Sequence, residues 1–333
     1  MQDMTEKLPQ SFPKPTVLAS RCLGFEACRW NGDVIHEPVV EMLHPWVDWV
    51  TACPECEIGL GVPRRPIRLV VDPSDPERDA LVQPATGADL TERMNRFCRE
   101  RVPALPELDG CVLKFRSPSC GISNVRVHHG ADKSTVARRG PGLFGRAILD
   151  AFPDLPIEDE GRLHNFTIRE HWLTRIFAGA RLREMAQTGR MHDLVQFHAN
   201  HKYLLMAYSQ TGLQKLGRIV AAGSQKTVDA AVREYKAAFC DALKKPARYT
   251  SQINVLHHVM GYFSGEVDRP EVEYMLDLIE DFRRGGLPLS VPLQVLRGWA
   301  IRFRNEYILN QTFLAPYPPP LATISDSGKG RKL

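Results

Sequence analysis

The stretch Thr16-Val-Leu-Ala-Ser-Arg-Cys-Leu-Gly24 joins a short β-branched run to a cysteine and a glycine directly behind it. The same order of features recurs at Trp49-Val-Thr-Ala-Cys53 and at Cys111-Val-Leu-Lys-Phe115, which is followed by Cys120. Short apolar runs bounded by Gly and Pro are typical of buried strands. Because ligands of parallel sheets lie at the carboxyl ends of the strands, cysteines in these loops indicate one shared site.

The first half of the chain alternates such strands with helical patterns, which predicts an α/β domain with a mostly parallel sheet. A further strand is expected at 67–71. Helices are expected to begin at Asp89, through a capping box with Glu92, and at Leu143. From Asn165 onward the spacing changes to long helical periodicity, which predicts an all-α second domain. Its predicted helices are 167–187, 193–208, 228–243, 249–263, 270–284 and 292–307.

The acidic stretch Ile157-Glu-Asp-Glu-Gly161 is the predicted linker between the two domains. We therefore expect an α/β domain at residues 1–160 and an all-α domain at 161–318. The Pro-rich and then polar end of the chain predicts a disordered tail at 319–333.

The composition is that of a soluble globular protein. The chain has 333 residues, of which 43% are hydrophobic and 25% are charged. No apolar run reaches the ~18 residues of a membrane-spanning helix, and the polar start does not resemble a secretory signal. These features predict a cytoplasmic protein without a membrane partner. Reduced cysteines are expected there, and their clustering favours metal or redox chemistry over disulfides.

The two halves of the chain differ in charge and in cysteine content. Residues 1–160 hold 19 Lys and Arg against 24 Asp and Glu, a net charge of −5, whereas residues 161–333 hold 24 against 15, a net charge of +9. Seven of the eight cysteines lie in the first half. A positive excess favours an anionic partner such as nucleic acid, so the sequence predicts a chemistry domain followed by a binding domain.

Cys22, Cys53 and Cys120 are the candidate metal ligands, since thiolates suit zinc or an iron–sulfur cluster. Spacing does not choose between these metals, because only one C-x2-C pair is present, at Cys53 and Cys56. A thioredoxin-like role for this pair needs a helix that the following Gly59-Leu-Gly-Val-Pro63 disfavours. Outside these loops, three cysteines are expected to be buried apolar residues: Cys98, Cys111 and Cys240.

Several motifs in order over residues 14–160 resemble the thiouracil desulfidase family. They are Ala-Ser-Arg-Cys22-Leu-Gly, Cys53-Pro-Glu55, Gly-Leu-Gly-Val-Pro-Arg64, Asp89-Leu-Thr91 and Ser117-Pro-Ser-Cys120-Gly. The segment 194–208 resembles the helical domain that is often fused to this desulfidase domain. The resemblance implies an enzyme that converts 4-thiouridine in tRNA back to uridine.

The resemblance also implies the cofactor, a [4Fe–4S] cluster held by only three cysteines. Carried over motif by motif, these ligands are Cys22, Cys53 and Cys120. The fourth iron is then open to bind the sulfur of the substrate while water attacks the carbon, with no net redox change. Glu55 and Ser117 would face this iron, the glutamate in acid–base catalysis and the serine in orienting the ring or the water.

Two neighbouring cysteines leave the ligand set open. Cys28 and Cys56 lie close to the ligand motifs, and either would close the cluster as a fourth ligand.

The expected partner is tRNA, and basic residues are the candidates for contact with its phosphates. These candidates are Arg138, Arg139, Arg169, Arg175, His201, Lys202 and Arg302. Gly140-Pro-Gly-Leu-Phe-Gly145 matches a dinucleotide-binding fingerprint, but no strand is expected before it, so we predict a tight turn into a helix that holds an anion at most.

Two other functions stay open. One is a desulfidase of free thiouracil or thionucleosides, for which a basic second domain is not needed. The other is an RNA-binding protein stabilised by a metal and without catalysis, against which Glu55 and Ser117 argue weakly.

Overall fold

The computed structural model describes residues 12–72, 74–132 and 135–322. The strands are β1 (Thr16–Ser20), β2 (Asp48–Ala52), β3 (Arg68–Asp72), β4 (Asp75–Gln83), β5 (Ala88–Asp89), β6 (Gly110–Leu113), β7 (Val125–His128), β8 (Val136–Gly140) and β9 (Ile157–Asp159). The helices among them are α1 (Pro38–Leu43), α2 (Pro54–Glu57), α3 (Thr91–Arg101), α4 (Leu143–Ala151) and α5 (Glu160–Leu163).

Four of these strands form a fully parallel sheet in the order β2-β1-β6-β9. The β-branched and apolar residues of β1 and β6 are buried, as expected for central strands covered on both faces. The four strands expected from the sequence are β1, β2, β3 and β6, and each forms within one or two residues of its predicted position. Three of them belong to this parallel sheet. The α/β fold class of the first half is confirmed.

A second sheet is mixed and has the order β5-β4-β3-β7-β8. Only β3 was expected from the sequence. Strand β4 begins with a mostly charged stretch and is apolar only at Ala80, Leu81 and Val82, and three of the five residues of β8 are exposed, so neither strand is an apolar run along its length. The strand before Gly140 therefore exists, contrary to our expectation, and it pairs antiparallel with β7.

The predicted acidic linker is wrong. Residues Ile157–Asp159 form the edge strand β9, which pairs with β6, and Asp159 then caps α5 by accepting a hydrogen bond from the backbone N–H of Arg162 at 2.8 Å. Ile157 and Glu158 are half-buried and Asp159 is fully buried, so pairing with β6 forms a strand in which two of three side chains are acidic.

Helices make up the rest of the described chain, which confirms the all-α second half. They are α6 (Phe166–Gln187), α7 (Met191–Asn200), α8 (Lys202–Tyr208), α9 (Gln210–Ala221), α10 (Val228–Ala242), α11 (Tyr249–Met260), α12 (Arg269–Arg283), α13 (Ser290–Arg302) and α14 (Glu306–Leu309). Short 3-10 turns lie at His44–Trp46, Ala222–Gln225, Gly261–Phe263 and Pro319–Leu321.

Two helical expectations differ from the structure. The segment expected as one helix at 193–208 is broken at His201 into α7 and α8. Helix α9, which begins at Ser209 as N-cap, was missed. Ser209 caps α9 by accepting a hydrogen bond from the backbone N–H of Gly212, whereas His201 makes no side-chain capping hydrogen bond at the break before α8.

The chain divides into two compact units. One consists of residues 14–176 and the other of residues 177–322 together with Phe12 and Pro13, so the division falls inside α6 rather than at residue 160. Each unit has its own hydrophobic core. The expected disorder from residue 319 is wrong for Pro319–Leu321, which form a 3-10 turn with Leu321 buried. Residues 323–333 lie outside the described part of the chain.

Within the described residues, no helix is long and apolar enough to cross a membrane.

Candidate active site

Three cysteine-bearing loops meet at one end of the parallel sheet. Strands β2, β1 and β6 lie side by side and point the same way, so their carboxyl ends share an edge. Cys22 follows β1, Cys53 follows β2, and Cys120 lies in the loop after β6. All three line one cavity of about 190 Å³. The structure thus brings together the three cysteines that the sequence singled out.

A carboxylate ties the first two loops together. Glu57 accepts a hydrogen bond from the backbone N–H of Cys53 at 3.0 Å and pairs with Arg21 at 2.8 Å. The backbone N–H of Arg21 donates to the carbonyl of Ala52 at the end of β2. These contacts hold Cys53 and the residue before Cys22 in a single arrangement.

The third loop is fastened by Glu160 and by close packing of glycines. Glu160 pairs with Lys114 and accepts the backbone N–H of Phe115 at 2.7 Å. A Cβ added to Gly142 would lie 2.5 Å from the carbonyl oxygen of Ser119. A Cβ added to Gly145 would clash with the carbonyl oxygen of Gly121 in the same loop. The G-x-G-x-x-G motif therefore lets α4 approach the backbone of the Cys120 loop, which is a packing role.

Two further thiols lie beside Cys53. Cys28 is buried, lines the same cavity, and its thiol contacts those of Cys22 and Cys53. The Cys56 thiol contacts that of Cys53 and lies 3.7 Å from the carbonyl oxygen of Cys28, outside the cavity lining. Of the two alternative fourth ligands, Cys28 is therefore the one that faces the cavity.

The folded chain raises the pKa of three thiols of the site, those of Cys28, Cys53 and Cys120. The hydrogen bond with Cys22 is the main reason that the pKa of Cys28 rises to about 12. Burial raises the pKa of Cys120 to about 12, and the contact with Cys28, followed by burial, raises the pKa of Cys53. Since metal ligation requires thiolates, a bound metal has to displace the protons of these groups.

The remaining cysteines do not line the cavity. Cys98 on α3 and Cys111 in β6 are buried in the core of the first unit, as expected. Cys240 on α10 is half-buried rather than buried.

The donor set fits an iron–sulfur cluster. Each iron of such a cluster that the protein binds is held by a separate thiolate. Cys22, Cys53 and Cys120, which enter one cavity from three loops, suit this arrangement.

A chain of hydrogen bonds joins the two predicted catalytic residues. Arg64 pairs with Glu55 at 2.7 Å, and the Ser119 hydroxyl donates to the other oxygen of Glu55 at 2.8 Å. Ser119 Oγ lies 3.0 Å from Ser117 Oγ, which also accepts the backbone N–H of Cys120 at 3.1 Å. With the Ser119 proton committed to Glu55, Ser117 donates to Ser119.

Arg64 and Ser119 were not predicted as site residues. Arg64 also donates to the carbonyl of Cys28 at 3.0 Å, and its side chain is 6% exposed. The sequence feature that could have identified them is their position inside the family motifs, since Arg64 follows Gly-Leu-Gly-Val-Pro and Ser119 precedes Cys120. Both act on Glu55 from outside its own loop, which no local pattern reveals.

The structure gives most of the predicted RNA-contacting arginines protein partners. Arg138 pairs with Asp79 at 2.7 Å, and Arg302 pairs with Glu271 at 2.7 Å. Arg175 donates to the carbonyl of Asp154 at 2.8 Å. Arg139 remains exposed on β8.

Two of the predicted RNA contacts are wrong because the side chains are buried. Arg169 is 2% exposed and donates to the carbonyl of Leu163 at 2.8 Å. His201 is 2% exposed and stacks on Phe197 at 3.9 Å, and burial lowers its pKa to about 3. The neighbouring Lys202 is half-buried and lies over the Tyr203 ring.

Two family profiles match the chain. The profile of the 2-thiouracil desulfurases matches residues 17–160, and that of DUF1722, a family of unknown function, matches residues 202–318. The uncharacterized protein YbgA of Escherichia coli (strain K12) is 30% identical over 148 residues, which is 44% of this chain and 88% of YbgA. The uncharacterized protein YbbK of Bacillus subtilis (strain 168) is 30% identical over 109 residues, or 32% of this chain and 72% of YbbK.

The solved structure of the [4Fe–4S]-dependent thiouracil desulfidase TudS is similar to part of this chain. It is 23% identical, with a TM-score of 0.36 over 45% of this chain and 93% of TudS. The parallel sheet, with thiols, a carboxylate and hydroxyls in its strand-end loops, defines an α/β protein with a thiolate-lined site. The chain belongs to the 2-thiouracil desulfurase family, and a DUF1722 region follows the desulfurase domain.

Proposed function

We propose that this protein removes the sulfur of 4-thiouridine in tRNA, leaving uridine, at a [4Fe–4S] cluster held by Cys22, Cys53 and Cys120. The observation that carries the proposal is the convergence of these thiols with Glu55 and Ser117 in one cavity. Membership of the 2-thiouracil desulfurase family supports a thiolated pyrimidine as the substrate.

The reaction converts a thiocarbonyl and water into a carbonyl and hydrogen sulfide, so no oxidant or reductant is consumed. A bound cluster with one iron free of protein ligands supplies a Lewis acid with affinity for sulfur. The chain itself supplies proton transfer. Glu55 accepts the proton of the attacking water, directly or through Ser119, to which it is hydrogen-bonded at 2.8 Å.

Arg64 and Ser117 position this machinery. The ion pair from Arg64, at 2.7 Å, turns the Glu55 carboxylate toward the cysteine loops. Ser117 Oγ is held by the backbone N–H groups of Ser119 and Cys120 at 3.3 and 3.1 Å. Its hydroxyl group is thereby fixed at the cavity wall, where it orients the pyrimidine ring.

The size of the cavity bears on how an RNA substrate is bound. At about 190 Å³ the cavity, which would also hold the cluster, is too small for a stacked duplex. The thiolated base must therefore be turned out of its stack, as enzymes acting on bases in nucleic acids require. The net charge of +9 on residues 161–333 supports a polyanionic substrate over a free base.

The test is desulfurisation by the full chain after anaerobic reconstitution with iron and sulfide. Thiolated bulk tRNA, free 4-thiouridine and free 2-thiouracil are compared by loss of the near-ultraviolet thiocarbonyl absorbance and by sulfide release. We expect the highest kcat/KM with tRNA. A higher value with the free base would replace the proposal with a small-molecule desulfidase. RNA binding without sulfide release from any substrate would favour the non-catalytic alternative.

A further inference from the structure

A second cavity lies beside the candidate active site, within the same unit. It has a volume of about 590 Å³. Three arginines and a histidine line it, and none of its described lining residues is a carboxylate. Arg116 and Pro118 line both cavities, which therefore share a wall on either side of Ser117.

Arginines continue from this cavity in a row across the second sheet. Arg126 on β7 is paired directly with Arg139 on β8, and Leu69 on β3 is paired with Val127. Because β3 and β7 are parallel, the residues just before this pair, Arg68 and Arg126, are also side by side. The three arginines therefore occupy neighbouring positions on three adjacent strands. We call Arg68, Arg126 and Arg139 the arginine row.

Two members of the row, Arg126 and Arg139, face solvent, whereas Arg68 is half-buried and donates to the carbonyl of Ala131 at 3.1 Å. Val125 and Val127 are buried, so the alternation of the strand turns Arg126 outward. Like charges directly opposite each other on antiparallel strands repel. Among the residues that the structure describes, Arg126 and Arg139 are exposed and neither has a carboxylate partner. Arg138, the neighbour of Arg139 in β8 and the cross-strand partner of Val127, pairs with Asp79 instead.

Arg116 connects the row to the active-site cavity. Its guanidinium stacks 4.6 Å from the centre of the Phe115 ring, and its backbone is left-handed, with φ of 56°. A non-glycine residue in this conformation is strained, and such strain concentrates at binding and catalytic sites. Arg116 is exposed and borders both cavities, so a ligand that spans them passes its guanidinium.

We propose that the arginine row and Arg116 bind the phosphodiester backbone of the RNA next to the thiolated nucleotide. This inference rests on the proposed function. Guanidinium groups bind phosphate oxygens in bidentate fashion, and backbone contacts position a nucleic acid without reading its sequence. Arg68 and Arg139, at the two ends of the row, are separated by two strand spacings of about 4.8 Å each, which leaves room for more than one phosphate. The α/β unit thus holds part of the RNA-binding surface, in addition to the helical unit.

The experiment uses the full, reconstituted chain and the double variant Arg126→Gln/Arg139→Gln. Both side chains are exposed, so the fold should be retained. The matched control is Arg93→Gln/Arg96→Gln, which removes the same charge from exposed positions of α3 in the same unit. Two readouts are taken: kcat and KM for thiolated tRNA and for free 4-thiouridine, and the affinity for an unmodified RNA oligonucleotide at several salt concentrations.

We expect the row variant to raise KM for thiolated tRNA by about tenfold or more with kcat unchanged, and to leave free 4-thiouridine turnover within about twofold. The slope of log affinity against log salt should fall by roughly 1.4 to 1.8, because each phosphate contact contributes about 0.7 to 0.9. The control should change neither.

The inference is overturned if the row variant and the control have the same KM and the same salt slope. Failure of the proposed function gives a different result. In that case the wild-type protein releases no sulfide from any substrate, while the oligonucleotide affinity still reports on the arginine row.

Discussion

At the level of single residues, the site depends on how Glu55 is held. Arg64 approaches it from one side and Ser119 from the other, and Ser117 completes the chain. A carboxylate with both oxygens engaged has one orientation, which is a requirement for proton transfer at a defined atom.

Replacing this carboxylate should slow the reaction without removing the cofactor. Glu55→Gln keeps the shape and the hydrogen bond from Ser119 but cannot accept a proton, so kcat should fall by about 10²–10⁴-fold. Bound iron and the visible absorption of the cluster should stay unchanged. Glu26→Gln, an exposed change of the same kind in the loop after β1, serves as control. A Glu55→Gln protein within a few-fold of wild type would remove this residue from catalysis.

Cys→Ala variants should distinguish the thiols that bind iron from those that only lie nearby. Cys22→Ala, Cys53→Ala and Cys120→Ala should each lose most of the iron, because three ligands leave little redundancy. Cys28→Ala should retain it, as should the control Cys98→Ala in α3. Iron per chain, determined after anaerobic reconstitution, is the measurement. Loss of iron in Cys28→Ala would instead indicate a cluster with four thiolate ligands.

At the level of secondary structure, α4 and the loop after β6 are packed backbone against backbone. The first turn of α4 rests on the carbonyl groups of Ser119, Cys120 and Gly121, where only glycine leaves space. The geometry of the cysteine loop therefore depends on a helix that carries no ligand.

Gly145→Ala should disturb this loop. The added Cβ would lie 2.3 Å from the carbonyl oxygen of Gly121 and 2.8 Å from that of Cys120. Overpacking of this kind costs about 1–3 kcal/mol, so the variant should melt at a lower temperature and bind less iron. Gly140→Ala is the matched control, since its nearest neighbour is the flexible end of Arg146 at 3.8 Å. Equal behaviour of the two variants would contradict the packing role.

Asp159, at the junction of β9 and α5, predicts a pH effect on stability. Burial raises its pKa to about 6, and one oxygen of the carboxyl group has no hydrogen-bond partner among the described residues. In the unfolded chain an aspartate titrates near 3.9, so between about pH 4 and 6 the folded chain binds more protons and this group destabilises the fold as pH rises. Above pH 6 the full cost is present.

Asp159→Asn should therefore raise the melting temperature above pH 6, with a gain that shrinks to nothing near pH 4. The amide still accepts the hydrogen bond from Arg162 that caps α5. Thermal unfolding followed by circular dichroism at several pH values measures this. Asp150→Asn, at an exposed position of α4, should have little effect at any pH. A gain independent of pH would rule out titration of Asp159 as the cause.

At the level of the whole molecule, electrostatics should govern the choice of substrate. The chain carries −5 on residues 1–160 and +9 on residues 161–333, and the arginine row adds local positive charge to the first unit. The proposed RNA substrate would interact with this charge distribution, whereas a neutral nucleoside would interact only with the cavity.

Salt should therefore separate the two kinds of substrate. Raising the salt concentration from 50 to 200 mM should increase KM for thiolated tRNA by more than about tenfold if roughly three phosphates are contacted. KM for free 4-thiouridine should stay nearly constant, because it carries no charge. Steady-state sulfide release by the full chain provides both values. A salt-independent KM for tRNA would argue against phosphate contacts as the basis of binding.

Much of the fold and of the site could be predicted where neighbours in sequence define the feature. The strands of the parallel sheet are apolar along their length, so their sequences indicate them. Strand β4 is mostly charged over its first half and β8 has two arginines among its five residues, so pairing with β3 and β7 is what makes them strands. His201 and Arg169 were misassigned because a polar residue buried by tertiary packing has the same sequence signal as an exposed one.

The sequence by itself determined the α/β and all-α halves, the strand-end position of Cys22, Cys53 and Cys120, and the family. Each follows from periodicity or from residues that are adjacent in the chain. The tertiary structure decided which groups meet: Glu55 and Ser119, 64 residues apart, share a hydrogen bond, and arginines of three strands align in one row. Strand order and register set such contacts, because they place distant segments side by side at spacings that local sequence does not encode.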